Sequence, residues 1–124
     1  MAKVKILAVE DDVDIAGLIE KKLADSGFEV AMRETGREAL DYLQNNLPDL
    51  VVLDILLPDI DGLSVLNELA HNPKTKNIPV IIFSNLADEG SLEQAEAIGN
   101  YEYLVKAKTD LNVLVEKIKK KLKI

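Results

Sequence analysis

The residue types that could do chemistry fall at a few places: three acidic residues in a row, Glu10-Asp11-Asp12; a lone carboxylate, Asp54; a hydroxyl, Ser84; and a lysine, Lys106. Asp54 ends the apolar run Leu50-Val51-Val52-Leu53, Ser84 ends Val80-Ile81-Ile82-Phe83, and Lys106 ends Tyr101 to Val105. A carboxylate can be a metal ligand, a base or a nucleophile, while a hydroxyl and an ammonium can meet charge that develops on an anion. Each also has an ordinary explanation. Asp54 could cap a helix or form a turn, the acidic trio could favour a helix N-terminus, Ser84 could be a loop hydroxyl and Lys106 a solvated side chain. Whether the fold brings them together decides.

The positioning elements are read from hydrophobic period. Val4 to Val9 is a first strand, and the helix after it carries Ile15, Leu18, Ile19 and Leu23 on one face before Ser26-Gly27 stops it. Phe28 to Met32 alternates as an edge strand does. Thr35 and Glu38 make an S/T-x-x-E capping box opening a helix with Ala39, Leu40, Leu43 and Leu47, closed by Pro48. The Asp54 run lacks alternation and so reads as a strand covered on both faces, with Pro58 and Asp61-Gly62 marking the turn that follows. Leu63, Leu66, Leu69 and Ala70 stripe a third helix ending near Asn72-Pro73; Pro79 to Phe83 is a fourth strand. Leu92, Ala95 and Ile98 stripe a fourth helix stopped by Gly99, Tyr101 to Val105 is the fifth strand, and Thr109 can cap a last helix carrying Leu111, Leu114, Val115, Ile118 and Leu122.

Five strands alternating with five helices, without repeat, low-complexity tract or linker, predict an α/β fold: a doubly wound parallel sheet with right-handed crossovers. Continuous apolar character makes strands one, three and four central, and two and five edges. That is the order 2-1-3-4-5, the flavodoxin-like arrangement. With 124 residues, 48% of them hydrophobic, residues 1–124 are expected to be one domain. There are no cysteines, so disulfides and thiolate metal sites are excluded, and a cytoplasmic location is expected. The N-terminus has neither a signal-peptide nor a membrane-span pattern. A net charge of −7 argues against direct nucleic-acid binding. The basic stretch from Glu116 onward has apolar residues at helical spacing and reads as a solvated helix face.

In such a sheet the carboxyl ends of the strands share one rim, which is where ligands bind in open α/β folds. Glu10-Asp11-Asp12, Asp54, Ser84 and Lys106 are therefore expected to converge. Clustered carboxylates repel unless one is protonated or a cation holds them together. Oxygen ligands alone, with no cysteine and one histidine, select a hard cation, and octahedral Mg²⁺ needs only one or two carboxylates plus phosphate oxygens. Phosphate chemistry follows, with Asp54 as nucleophile, Ser84 donating to a phosphoryl oxygen and Lys106 neutralising its charge.

Over its whole length the sequence resembles a response-regulator receiver domain of bacterial two-component signalling, of the chemotaxis-regulator kind. The resemblance is carried by Ala-Val-Glu-Asp-Asp ending at Asp12, Asp-Ile-Leu-Leu-Pro-Asp-Ile-Asp-Gly from Asp54, Ile-Ile-Phe-Ser-Asn ending at Asn85, and Tyr-Leu-Val-Lys ending at Lys106. It implies that Glu10 and Asp11 bind metal together with Asp54 and the backbone carbonyl of Leu56, and that Asp12 is a neighbour, not a ligand. Asp54 would be the phosphoacceptor, Ser84 the conserved hydroxyl, Lys106 the conserved lysine and Tyr103 the switch aromatic. The implied function is a phosphorylation-dependent signalling switch, taking a phosphoryl group from a histidine kinase or phosphotransfer protein, catalysing its own phosphotransfer and dephosphorylation, and signalling through a protein surface. That surface would be the fourth helix, fifth strand and fifth helix, where Glu93, Glu96 and Glu102 can face Lys117 and Lys120 across a partner or a symmetric homodimer. No output segment follows Leu122, so a downstream protein target is expected, unless the domain is cut from a longer chain.

Some positions depart from the family pattern. Ala107 stands where a proline preceded by a cis bond is usual; a cis bond without proline costs about 3–4 kcal/mol, so either the peptide is trans and the loop shifts, or the site stores strain. Asn85 is larger than the usual residue and narrows phosphoryl access. Leu56 and Leu86 are apolar where polar groups are common and are expected to flank the phosphoryl group and slow its hydrolysis. Ala107 and Asn85 motivate an alternative, a degenerate receiver that binds a partner without phosphorylation. A haloacid-dehalogenase type of phosphatase would need a second aspartate where Leu56 stands and a cap domain; a flavodoxin would need a phosphate loop where Glu10-Asp11-Asp12 would repel phosphate. His71, the one histidine, reads as a surface residue near the negative end of a helix dipole.

Overall fold

The chain runs β1 (Lys5–Val9), α1 (Val13–Asp25), β2 (Glu29–Arg33), α2 (Gly36–Asn45), β3 (Leu50–Leu53), α3 (Gly62–His71), β4 (Val80–Ser84), α4 (Glu89–Ile98), β5 (Glu102–Val105) and α5 (Leu111–Leu122), with a 3-10 turn at Lys106–Lys108. This computed structural model describes residues 3–86, 88–99 and 101–124. The strands form one parallel sheet in the order β2-β1-β3-β4-β5, as the apolar runs predict. Among the described residues no helix is long and apolar enough to cross a membrane.

Because successive strand residues point to opposite faces, each apolar run supplies two cores. Ile6, Ala8, Val52, Ile81 and Phe83 pack against Ile19 and Leu23 of α1 and Leu114 and Ile118 of α5. Leu7, Val9, Val51, Leu53 and Ile82 pack on the other face against Ala39 and Leu43 of α2, Leu66 and Leu69 of α3 and Ala95 of α4. Each fully buried Leu, Ile or Val is worth about 1.5–3 kcal/mol, so the central strands are the costliest part of the chain to disturb. Their carboxyl ends inherit that rigidity.

The helix boundaries show where local chemistry differs from the expectations. On α1, Ile15, Ile19 and Leu23 form the inward row, while Leu18 is one position off that row and 60% exposed. The helix ends at Ser26, and Gly27 follows at φ 95°, a conformation that favours glycine. Thr35 caps α2 through its hydroxyl, which accepts from the Glu38 N–H at 3.1 Å; the return bond of Glu38 goes to the N–H of Glu34, one residue before the cap. That helix stops at Asn45, before Leu47, which is exposed; the residue preceding a proline avoids helical geometry. The cap of α5 is Asp110, whose carboxylate accepts from the Asn112 N–H at 2.7 Å, and not Thr109, because the turn at Lys106–Lys108 carries the chain one residue further before the helix begins.

Gly62, the first residue of α3, fits against the connection that follows β3. Its N–H donates to the Ile55 carbonyl at 2.8 Å, and a Cβ on it would lie 2.2 Å from the Asp54 carbonyl oxygen and 2.5 Å from the Ile55 Cα. Both obstacles are backbone and cannot rotate away. Gly62→Ala is therefore expected to cost about 1–3 kcal/mol, the range for overpacking, and a urea melt of the two proteins reads it directly. Unchanged stability would mean that α3 is not held this closely to the Asp54 backbone.

Candidate functional site at the carboxyl edge

Ladder bonds continue past the strand ends and fix the backbone of two acidic residues. The Glu10 N–H donates to the Arg33 carbonyl at 3.0 Å and the Asp54 N–H to the Val9 carbonyl at 3.2 Å. Both side chains are removed from water: Glu10 is 2% and Asp54 4% exposed. Ser84, the last residue of β4, is buried too, and the Lys106 side chain is only 10% exposed.

Asp54 is met on both oxygens. Its Oδ1 accepts from the Ser84 hydroxyl at 2.6 Å and the Leu56 N–H at 3.0 Å, and its Oδ2 takes the Lys106 ammonium at 2.5 Å. The same ammonium pairs with Oε1 of Glu10. Glu10 Oε1 is therefore buried against a single cation that it shares with Asp54. Burial pushes the Glu10 carboxyl above the usual carboxylate range; the Lys106 ammonium and the Asp12 N–H pull it part of the way back, and the negative charge of Asp54 adds to the push. Burial also works against the charge on Lys106, but its bonds to Asp54 and Glu10 prevail and hold the ammonium above its ordinary value.

The acidic trio divides by role. Asp12 caps α1, its carboxylate accepting from the N–H groups of Asp14 and Ile15 at 3.0 and 3.1 Å, so it is occupied with the helix. Asp11 is exposed, and carboxylate oxygens of Glu10, Asp11 and Asp54 all lie within 4.8 Å of one another. Three carboxylates this close, with one ammonium among them, leave a surplus of negative charge, and their hard oxygens suit a divalent cation that keeps part of its water shell. A Mg²⁺ ion therefore fits the residues present.

Other expectations meet the structure with adjustments. The Tyr103 hydroxyl donates to the Leu86 carbonyl, so the aromatic is tied to the segment after β4. Leu86 is half-buried and packs against the core on the α2–α4 face, whereas Leu56 is exposed at the rim. The paired apolar wall expected from these two leucines is thus not formed by equivalent residues. The Lys106–Ala107 peptide is trans, and Asn85 uses its side-chain carbonyl to accept the Ala107 N–H at 2.8 Å. Glu102 pairs with Lys117 of its own chain at 2.9 Å. His71 is exposed at the end of α3, where its ring bonds the Asn67 carbonyl.

Sequence reasoning missed the role of Asp59. Its two carboxylate oxygens accept from the N–H groups of Gly36 and Arg37 at 2.9 Å, so it caps α2 from the segment after β3. Its solvent loss is outweighed by backbone donors, Ile60 first and then Arg37 and Gly36, which hold its carboxyl below the usual range. A cap supplied from more than twenty residues away has no local sequence signal.

Comparison with known proteins agrees with this fold. A family model described as "Response regulator receiver domain" matches residues 6–119. The chain is 38% identical over 104 residues to a probable transcriptional regulator, ycf27, of Cyanophora paradoxa, covering 84% of this chain and 42% of that protein. It therefore spans less than half the length of that relative. A response regulator receiver domain protein (CheY-like) from Methanospirillum hungatei JF-1 superposes with a TM-score of 0.92 at 28% identity, covering 98% of this chain and 95% of the other. The phosphorylated cyanobacterial phytochrome response regulator RcpA gives a TM-score of 0.84 at 33% identity, with 95% and 90% covered.

The raised carboxyl of Glu10 predicts a pH dependence. A group that holds its proton more tightly folded than unfolded adds stability as pH falls from its folded value toward its ordinary one of 4.5. In metal-free buffer the wild type should gain thermal stability over that interval relative to Glu10→Gln, which cannot titrate. Parallel melting-temperature profiles for the two proteins would show that Glu10 is not perturbed.

Proposed function

This chain belongs to the response regulator receiver domain family of two-component signalling, and from that premise we propose that it accepts a phosphoryl group on Asp54 and uses the resulting acyl phosphate as a signal. The observation that carries this reading is that one buried carboxylate, Asp54, is held between a hydroxyl and an ammonium, with two further carboxylates beside it. A carboxylate oxygen of Asp54 attacks phosphorus in line with the leaving group. The bond to a histidine nitrogen, or to an acyl oxygen in acetyl phosphate, breaks as the bond to Asp54 forms, and the leaving group keeps the electron pair.

Buried charge is expensive unless matched, and phosphorylation brings more negative charge to this rim. Lys106 neutralises part of it and Ser84 donates to a phosphoryl oxygen; both already point at Asp54, so little reorganisation is needed. Glu10, Asp11 and Asp54, with the backbone carbonyl of Leu56, are the residues that would hold Mg²⁺, which when bound neutralises phosphoryl oxygens and orients the donor. The donor is a histidine kinase or a phosphotransfer protein. Ser84 also accepts from the Leu86 N–H at 3.2 Å, and Leu86 is bonded to Tyr103. Moving the Ser84 hydroxyl onto a phosphoryl group therefore disturbs the residues tied to Tyr103 and biases the face of α4, β5 and α5 between two states. That face would be the surface for a downstream protein or a second copy of the chain, with residues 1–124 acting as one unit.

Incubation with labelled acetyl phosphate and Mg²⁺ tests the reading. The wild type should be labelled, Asp54→Asn should not be although it folds, and Asp11→Ala should be labelled more slowly with weaker Mg²⁺ binding. Labelling of Asp54→Asn at the wild-type level would move the chemistry elsewhere, and an unlabelled wild type would favour a receiver that binds its partner without phosphorylation.

A further inference from the structure

The two groups that grip Asp54 come from neighbouring strands: Ser84 ends β4, and Lys106 follows β5, with Ser84 and Val105 paired in register. Beyond that pair the sheet has no more ladder bonds to set the distance between the two connections. Among the described residues, one side-chain bond joins these two connections. The Asn85 carbonyl oxygen accepts the Ala107 N–H at 2.8 Å, so the residue after the hydroxyl is tied to the residue after the ammonium. Ala107 lies in the short turn at Lys106–Lys108, whose leading N–H groups have no partner within the turn itself. Asn85 supplies one.

Resting on the phosphoacceptor reading above, we infer that Asn85 is a positioning residue for that reaction: it holds the backbone after Lys106 in place and so keeps the ammonium against Asp54 and Glu10. The two departures from the family pattern are then one device. A proline at 107 has no N–H to give, and an asparagine at 85 is of use to this turn only where residue 107 can donate. Lys106 has four rotatable side-chain bonds, and its contact with two buried carboxylates depends on where its backbone starts. Among the described residues the Asn85 side chain has no hydrogen bond to Asp54 or the carboxylates beside it, so its effect passes through Lys106.

Two readouts on four proteins test this: wild type, Asn85→Ala, Ala107→Pro and the double variant. The first does not depend on phosphorylation. Limited acetylation with an amine-reactive ester, followed by peptide mass spectrometry, reports how accessible the Lys106 ammonium is relative to surface lysines. Asn85→Ala should raise Lys106 acetylation by about three- to ten-fold, the scale of one neutral hydrogen bond. In the Ala107→Pro background the same substitution should change nothing, whatever the proline does by itself. The second readout is the rate of labelling by acetyl phosphate, which should fall by a similar factor in Asn85→Ala while Mg²⁺ affinity, carried by other residues, stays the same. Unchanged Lys106 acetylation in Asn85→Ala, or an equal effect of that substitution in both backgrounds, would overturn the inference. An unlabelled wild type would count against the phosphoacceptor reading alone, because the acetylation experiment still decides the role of Asn85.

Discussion

The site depends on an ammonium that holds two buried carboxylates at one point. Without Lys106, Glu10 and Asp54 would sit a few ångströms apart in a part of the protein that water barely reaches, and one would have to take a proton. With it, the Lys106 charge is shared between Glu10 and Asp54, and Glu10 remains the uneasy member, because burial still pushes its carboxyl up. With the exposed Asp11 carboxylate beside them, three negative charges face one ammonium, and the surplus favours another cation. The proposed binding of a divalent ion and then a phosphoryl group draws on that surplus, because a fully neutralised cluster would have little to gain from a cation.

The sheet makes this possible by doing the costly ordering elsewhere. Glu10, Asp54, Ser84 and Lys106 are far apart in sequence, yet each ends or directly follows a strand whose apolar residues are locked into two cores. Ladder bonds fix the backbones of Glu10 and Asp54, and Ser84 is paired with Val105, the residue before Lys106. Gly62 brings α3 against the carbonyl of Asp54, and Asp59 caps α2 from the same connection. The segment after β3 is thus pinned at several points.

The strand order and the convergence of the polar residues were legible in the sequence because they follow from hydrophobic period, and period survives in tertiary structure when strands are buried on both faces. Aligning the strand ends brought Glu10-Asp11-Asp12 and Asp54 together; the division of the trio, with Asp12 as a neighbour, came only from the family resemblance. What was not legible was set by competition among near-equal local choices or by distant contacts. Asp110 displaced Thr109 as a cap because a short turn shifted the start of α5, and Leu47 fell outside α2 because Pro48 made the preceding residue extended. Glu102, read as available to a partner, found Lys117 within its own chain. The Asn85–Ala107 bond was hidden for a different reason: sequence marked both residues as departures, and only geometry joined them.

Chemical trapping of the modified residue is the most direct measurement of the account. An acyl phosphate is reduced by borohydride to an alcohol, so a phosphorylated aspartate becomes homoserine, which peptide mass spectrometry locates. After treatment of the wild-type protein with acetyl phosphate and Mg²⁺, homoserine should appear at position 54 and nowhere else. Homoserine at position 59 or 61, or none in a protein that carries the label, would contradict the assignment of Asp54 as the nucleophile.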